Sequence, residues 1–141
     1  RAAGFGPAAL FAWGRPMDDG IRVLAGQRVF VCPEDGPRLD GEAAALDLMG
    51  RLWGLDADWV AVPTTLLGED FLHLRTGVLG GVVQKFVNYR LRLAVMGDIT
   101  EAVAASDALG DFVREANASG HVWFVADLAE LEQRLARGGG G

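Results

Sequence analysis

Apolar and polar positions change period several times along this chain, and each change marks an element. Ile21-Arg22-Val23-Leu24 and Arg28-Val29-Phe30-Val31-Cys32 are short β-branched and aromatic runs on either side of Ala25-Gly26-Gln27. That spacing, with Gly in the connection, predicts the two antiparallel strands of a hairpin. After the turn-rich Pro33-Glu34-Asp35-Gly36-Pro37, Ala45, Leu48, Met49, Leu52 and Trp53 share one helical face and predict a helix from about 41 to 53, with Asp40 as its N-cap. Trp59-Val60-Ala61-Val62 is a compact apolar strand stopped by Pro63. Phe71, Leu74, Val78, Leu79, Val82, Val83, Phe86 and Val87 then recur at three and four, predicting a second helix over 71–87. A strand over 91–96 ends at Gly97, a helix over 106–117 ends near Gly120, and a strand over 122–126 and a helix over 128–136 complete the series.

The order is ββαβαβαβα. Strands joined by helices of this length are parallel and linked by right-handed crossovers, and the last three strands are the near-continuous apolar runs of buried parallel strands. The expected fold is α/β, a single-domain open mixed sheet with an antiparallel first strand. No internal repeat or break in composition marks a second domain, so residues 17–137 are taken as one unit. Residues 1–16 carry no Asp or Glu and end at Met17, which reads as a natural start; they are expected to be an extension outside the core. Phe5, Leu10, Phe11 and Trp13 within them are costly to leave in water, so an ordered segment would need a groove on this chain or on a second copy. Gly138 to Gly141 reads as a tail.

Half of the 141 residues are apolar, enough for a core without disulfides or a structural metal. Twelve Arg, one Lys and nineteen acidic residues give a net charge of −6 with no basic cluster, the wrong footprint for nucleic acid. One Cys excludes an intrachain disulfide, and with two His it cannot complete a four-ligand zinc site of the Cys/His type. No apolar run is long enough to span a bilayer, and the expected location is the cytoplasm.

In open α/β sheets ligands bind beyond the carboxyl ends of the strands. The loops there carry Glu69, Asp70, Asp98, Glu101 and Asp127, which can gather at one rim to bind a divalent cation or for acid–base work or, at helix starts, cap and complement the helix dipole. His73 follows Asp70 by three residues and is the one base candidate; His121 has no nucleophile near it in sequence. There is no G-x-G-x-x-G and no phosphate-loop motif, and Gly77-Val78-Leu79-Gly80-Gly81 falls within the apolar repeat, where close helix packing is its reading. No cofactor is expected. Cys32 ends an apolar strand as a small hydrophobe, and Ser106 and Ser119, in a helix N-cap and a C-terminal turn, lie outside any nucleophile elbow. Trp53, Trp59 and Trp123 fall on core elements, and Asn88-Tyr89-Arg90 offers polar groups to the last carbonyls of its helix.

The stretches Gly68 to Phe71, Arg75-Thr76-Gly77, Gln84-Lys85-Phe86-Val87-Asn88-Tyr89-Arg90, Leu93 to Asp98 and Asp111 to Asn117 resemble a bacterial family of unknown function, DUF4180, over roughly residues 20–137. The resemblance brings no activity with it. The element order in turn is similar, by analogy, to the anti-sigma-factor-antagonist or STAS fold, four β/α turns after an antiparallel first strand. In such domains the helix after the third strand starts with Ser or Thr before Gly, and phosphorylation there controls binding to a kinase or anti-sigma partner. Thr76-Gly77 has that place here, although Leu74-Arg75 precedes it where STAS antagonists usually have Asp-Ser.

The resemblance implies a cytoplasmic, non-enzymatic, regulatory protein-binding module. Its candidate binding face is Glu69, Asp70, His73, Arg75, Thr76 and Asp98, with Thr76 as candidate phosphoacceptor. The alternative is a small enzyme or small-molecule-binding domain using Glu69, Asp70, Asp98 and His73. A third expectation is a homodimer in which the N-terminal aromatic segment docks on the partner.

Overall fold

The computed structural model describes residues 20–36, 38–68 and 71–139. The hairpin is formed by β1 (Ile21–Leu24) and β2 (Gln27–Val31), paired from Ile21↔Phe30 to Leu24↔Gln27. Its two-residue turn holds Ala25 at φ 51 and Gly26 at φ 83, the double positive φ that matches the twist of the flanking strands. After it come α1 (Glu42–Leu52), β3 (Trp59–Pro63), 3-10 turns at Thr64–Leu66 and Leu74–Thr76, and α2 (Val78–Asn88). β4 (Arg92–Met96), α3 (Thr100–Ala105), α4 (Asp107–Ala118), β5 (Val122–Val125) and α5 (Leu128–Arg134) follow, and α5 runs into a π-helical turn, Leu135–Gly139. No helix among the described residues is long and apolar enough to cross a membrane.

The protein is thus α/β with a mixed five-stranded sheet. The strands lie side by side in the order of the sequence, β1 antiparallel to β2 and the other neighbours parallel. When every parallel strand is added on the same side of the previous one, right-handed crossovers put every connecting helix on one face. Leu48 of α1, Phe86 of α2 and Leu109 of α4 accordingly pack with Phe30, Val60 and Leu93 in one core. The alternate residues of the same strands, Val29, Trp59, Ala61, Ala94 and Trp123, face the other way and form a second core with Leu131 and Leu135.

Four expectations are corrected. The order of elements is ββαβαβααβα, because the loop expected after β4 contains a short helix, α3, that carries no large apolar stripe. The helix expected over 71–87 begins only at Val78. Gly77 stands at φ 79, a left-handed conformation that breaks the helix, so 71–77 is turn even though Phe71 is fully buried. The N-cap of α1 is Gly41, not Asp40, and it makes no side-chain cap bond. Trp53 is 86% exposed: it is the C-cap of α1, one residue past Leu52, where ψ 126 takes the chain out of the helix. The last turn takes in Gly138 and Gly139, while residues 1–16, Gly140 and Gly141 lie outside the described residues.

Candidate functional site

The carboxyl edge of the sheet is built by the ends of β2, β3, β4 and β5. Gly97 follows β4 at φ 144, and a β-carbon there would run into the Thr64 side chain that follows β3, so the two loops touch and glycine is required for the approach. Asp98 comes next and is exposed. It accepts bonds from the Thr100 backbone N–H (2.9 Å) and hydroxyl, and these hold its carboxyl below the ordinary carboxylate range. Asp127 accepts from Glu130 N–H at 2.9 Å as the N-cap of α5, and Glu130 returns an oxygen to Ala126 N–H at 2.6 Å, a capping box closed through the neighbouring residue. Asp98 and Asp127 therefore serve turns and helix starts, the capping half of the expectation. Glu101 is exposed in the first turn of α3. Glu69 and Asp70 lie outside the described residues.

His73, Arg75 and Thr76 share one short ledge, all three exposed, in the 3-10 turn ahead of α2. The Thr76 hydroxyl donates to the His73 carbonyl at 2.7 Å and accepts from Val78 N–H at 3.3 Å. The second bond satisfies one of the donors that a helix start leaves open. Gly77 is left-handed because the chain must turn from this ledge into α2. Further along α2, a β-carbon on Gly81 would strike the Glu42 carboxylate of α1, and Lys85 pairs with that carboxylate at 3.6 Å. Gly81 thus serves helix packing, as its place in the apolar repeat implied, whereas Gly77 serves the turn and Gly80 is exposed with open space where a β-carbon would stand.

Beneath the same edge lies a cavity of about 40 Å3 lined by Cys32, Arg38, Leu39, Asp47, Val62 and Leu66. It has room for a water or two. Burial pushes the Cys32 thiol up to about 12, so at neutral pH it is the protonated thiol, the poor nucleophile. Among the described residues no group of three or more His, Cys, Asp and Glu is placed to hold a metal ion.

A family model described as a domain of unknown function, DUF4180, matches residues 24–135. The chain belongs to that family. No curated protein matches it, and no solved structure does.

In this DUF4180 chain the Lys85-Phe86-Val87-Asn88-Tyr89-Arg90 run is the end of α2, and its carbonyls are closed by backbone groups where polar side chains were expected. Arg90, at φ 60, donates its N–H to Val87 O at 3.1 Å, and Leu91 N–H reaches back to Phe86 O at 2.9 Å, the double closure of a helix by a left-handed residue. Asn88 instead accepts from Gln84 at 3.0 Å on the surface.

A second cluster escaped sequence reasoning altogether. Asn117, the penultimate residue of α4, accepts from Phe124 N–H at 2.7 Å and from Arg134 at 3.3 Å, while Arg134 donates to the Asn117 carbonyl at 2.8 Å. The Arg134 guanidinium stands 4.1 Å from the Trp123 ring centroid, and Trp123 Nε1 donates to Ser119 O at 2.9 Å. One Asn and one Arg thus tie α4, β5 and α5 together. Their only signal in sequence was a polar pair beside apolar strands, 17 positions apart.

Proposed function

We propose that this DUF4180 domain is a non-enzymatic, STAS-like regulatory module. It binds a protein partner through the ledge ahead of α2, His73, Arg75 and Thr76, with Glu69, Asp70 and Asp98 as further candidate contact residues, and Thr76 is its phosphoacceptor. The observation that carries this reading is the Thr76 hydroxyl, exposed and held by His73 O and Val78 N–H beside two exposed side chains of basic type. Four β/α turns after an antiparallel first strand support the STAS-like assignment.

The chemistry of the switch follows from that geometry. A phosphate on Thr76 adds about −1.5 to −2 charges next to the first turn of α2, where the helix dipole tolerates it. It also removes the hydroxyl proton that bonds His73 O, so the turn carrying His73 and Arg75 must rearrange. A partner seated on this ledge would have to desolvate the new charge, and binding would be lost.

Affinity capture with the native chain, Thr76→Ser and Thr76→Glu, followed by mass spectrometry and phosphosite mapping of the native bait, tests the reading. A protein retained by native and Ser baits, absent from the Glu bait, and accompanied by phosphate on Thr76 supports it. A partner held equally by all three baits rules out the switch.

A further inference from the structure

We propose that the outward face of α1 is a self-association surface, on which a second copy of this chain docks its own α1 antiparallel, about a two-fold axis beside Leu48. Of the three helices over this side of the sheet, α2 turns Gln84 and Asn88 to solvent, and α4 turns out Asp111, Arg114 and Glu115. α1 instead turns out Ala43, Leu46, Gly50 and Trp53. Their spacing of three, four and three is the repeat by which one helix lays a seam along another. Leu46 is 41% exposed and Trp53 86%, and φ −58 at Trp53 keeps its β-carbon in line with the helix that ends there. α2 packs beside α1 and ends at the same edge of the sheet, where its C-cap Tyr89, 56% exposed, widens the apolar patch. Large apolar side chains gathered on one exposed face mark an interaction surface.

The order of sizes along the seam selects a second copy as its occupant. It runs small, large, small, large. Antiparallel copies related by that two-fold set Ala43 against the partner's Trp53 and Leu46 against the partner's Gly50, so every large side chain meets a small one. A parallel pair would set indole on indole and glycine on glycine. Gly50 itself has no use within one chain: its φ is not positive, and nothing stands within 4 Å of the place a β-carbon would take. Glycine inside a helix is destabilising, and here the open notch is what admits the partner's Leu46. The charges beside the seam match in the same way. Glu42, on the flank toward α2, is taken by Lys85, and on the other flank Arg51 pairs with Asp47 at 3.1 Å. The two-fold brings the Asp47 carboxylates of both copies near the axis with an Arg51 on either side, so each guanidinium bridges its own Asp47 and the partner's.

The test is sedimentation equilibrium of the full chain over a range of concentrations, beside Gly50→Glu. Glutamate has open space at this position in the single chain and favours helix, so the variant keeps its circular dichroism spectrum and melting temperature. The expected result is a native mass that rises toward that of two chains, with association weakened at least about tenfold in Gly50→Glu, where a carboxylate fills the notch. A native mass of one chain at every concentration overturns the proposal. So does a dimer that persists in Gly50→Glu, because another face then joins the copies. Orientation is read by exchanging sizes at two exposed positions. Ala43→Trp alone sets an indole against the partner's Trp53 and should lower association, and adding Trp53→Ala should restore it, since large again meets small. A double variant that associates no better than Ala43→Trp alone overturns the antiparallel pairing.

Discussion

The two faces of the sheet are made by different means. On one, Phe30, Val60, Val62, Leu93 and Val95 meet three helices that the crossovers deliver automatically. On the other, small Ala61 and Ala94 lie beside a tilted Trp59–Trp123 pair whose ring centroids are 4.6 Å apart, with the guanidiniums of Arg92 and Arg134 at 5.7 and 4.1 Å from the two rings. No crossover helix lands there, because every parallel strand is added in the same direction. The first face is covered as a consequence of topology. On the second, the off-sheet side chains among the described residues come from α5 and its extension, which Arg134 ties to Asn117 of α4.

The contrast can be broken most severely on the helix-covered side. Phe86→Ala, at a position of 0% exposure, is expected to cost about 3–5 kcal/mol in chemical denaturation. Cys32 belongs to the same core and gives it a pH signature. Its thiol is raised from 9.0 to about 12, so the unfolded chain ionises first, and the stabilisation present below pH 9 is lost as pH rises toward 12, at up to about 1.4 kcal/mol per unit. Cys32→Ala should flatten that slope in urea titrations from pH 8 to 11.

On the second face the sensitive change is the addition of volume. Ala94→Leu, at a position of 0% exposure, should cost about 1–3 kcal/mol, read as a lower urea midpoint. Asn117→Ala orphans Phe124 N–H and unties Arg134, with an expected loss of about 1–2 kcal/mol and earlier hydrogen exchange at Phe124 than at Val95. The smallest effect belongs to the hairpin at the edge common to both faces. Ala25→Asn suits a left-handed turn position better than Ala and should raise stability by roughly 0.5 kcal/mol, visible as a small increase in melting temperature.

What was legible in the sequence was what local pattern determines. The hairpin, the three apolar parallel strands and the buried faces of α1 and α2 follow from period and β-branching. Ser106 was read as a cap and does accept from Leu109 N–H, at 3.1 Å. The failures have local causes too. The apolar repeat from Phe71 ran unbroken through Gly77, and only the glycine's left-handed backbone shows that Phe71 is buried, and Leu74 partly buried, from a turn. Trp53 has the correct helical spacing but stands just outside the helix. In the candidate site Thr76 was singled out only through the STAS resemblance, since the apolar repeat put it inside a helix from Phe71, and its bond to His73 O depends on the 3-10 turn. The Asn117–Arg134 tie was invisible because folding alone brings its two halves together.

The strand order has one more consequence, for the time course of folding. Every strand pairs with the strand made just before it, and successive parallel partners are roughly thirty residues apart, as in Val29↔Trp59, Trp59↔Arg92 and Leu93↔Val122. No strand must wait for a distant one to be inserted between earlier neighbours. A chain of this order can therefore grow its sheet outward from the hairpin while it is still being synthesised, each new β/α turn adding to a finished template, with β5 and the α5 over it as the last edge added.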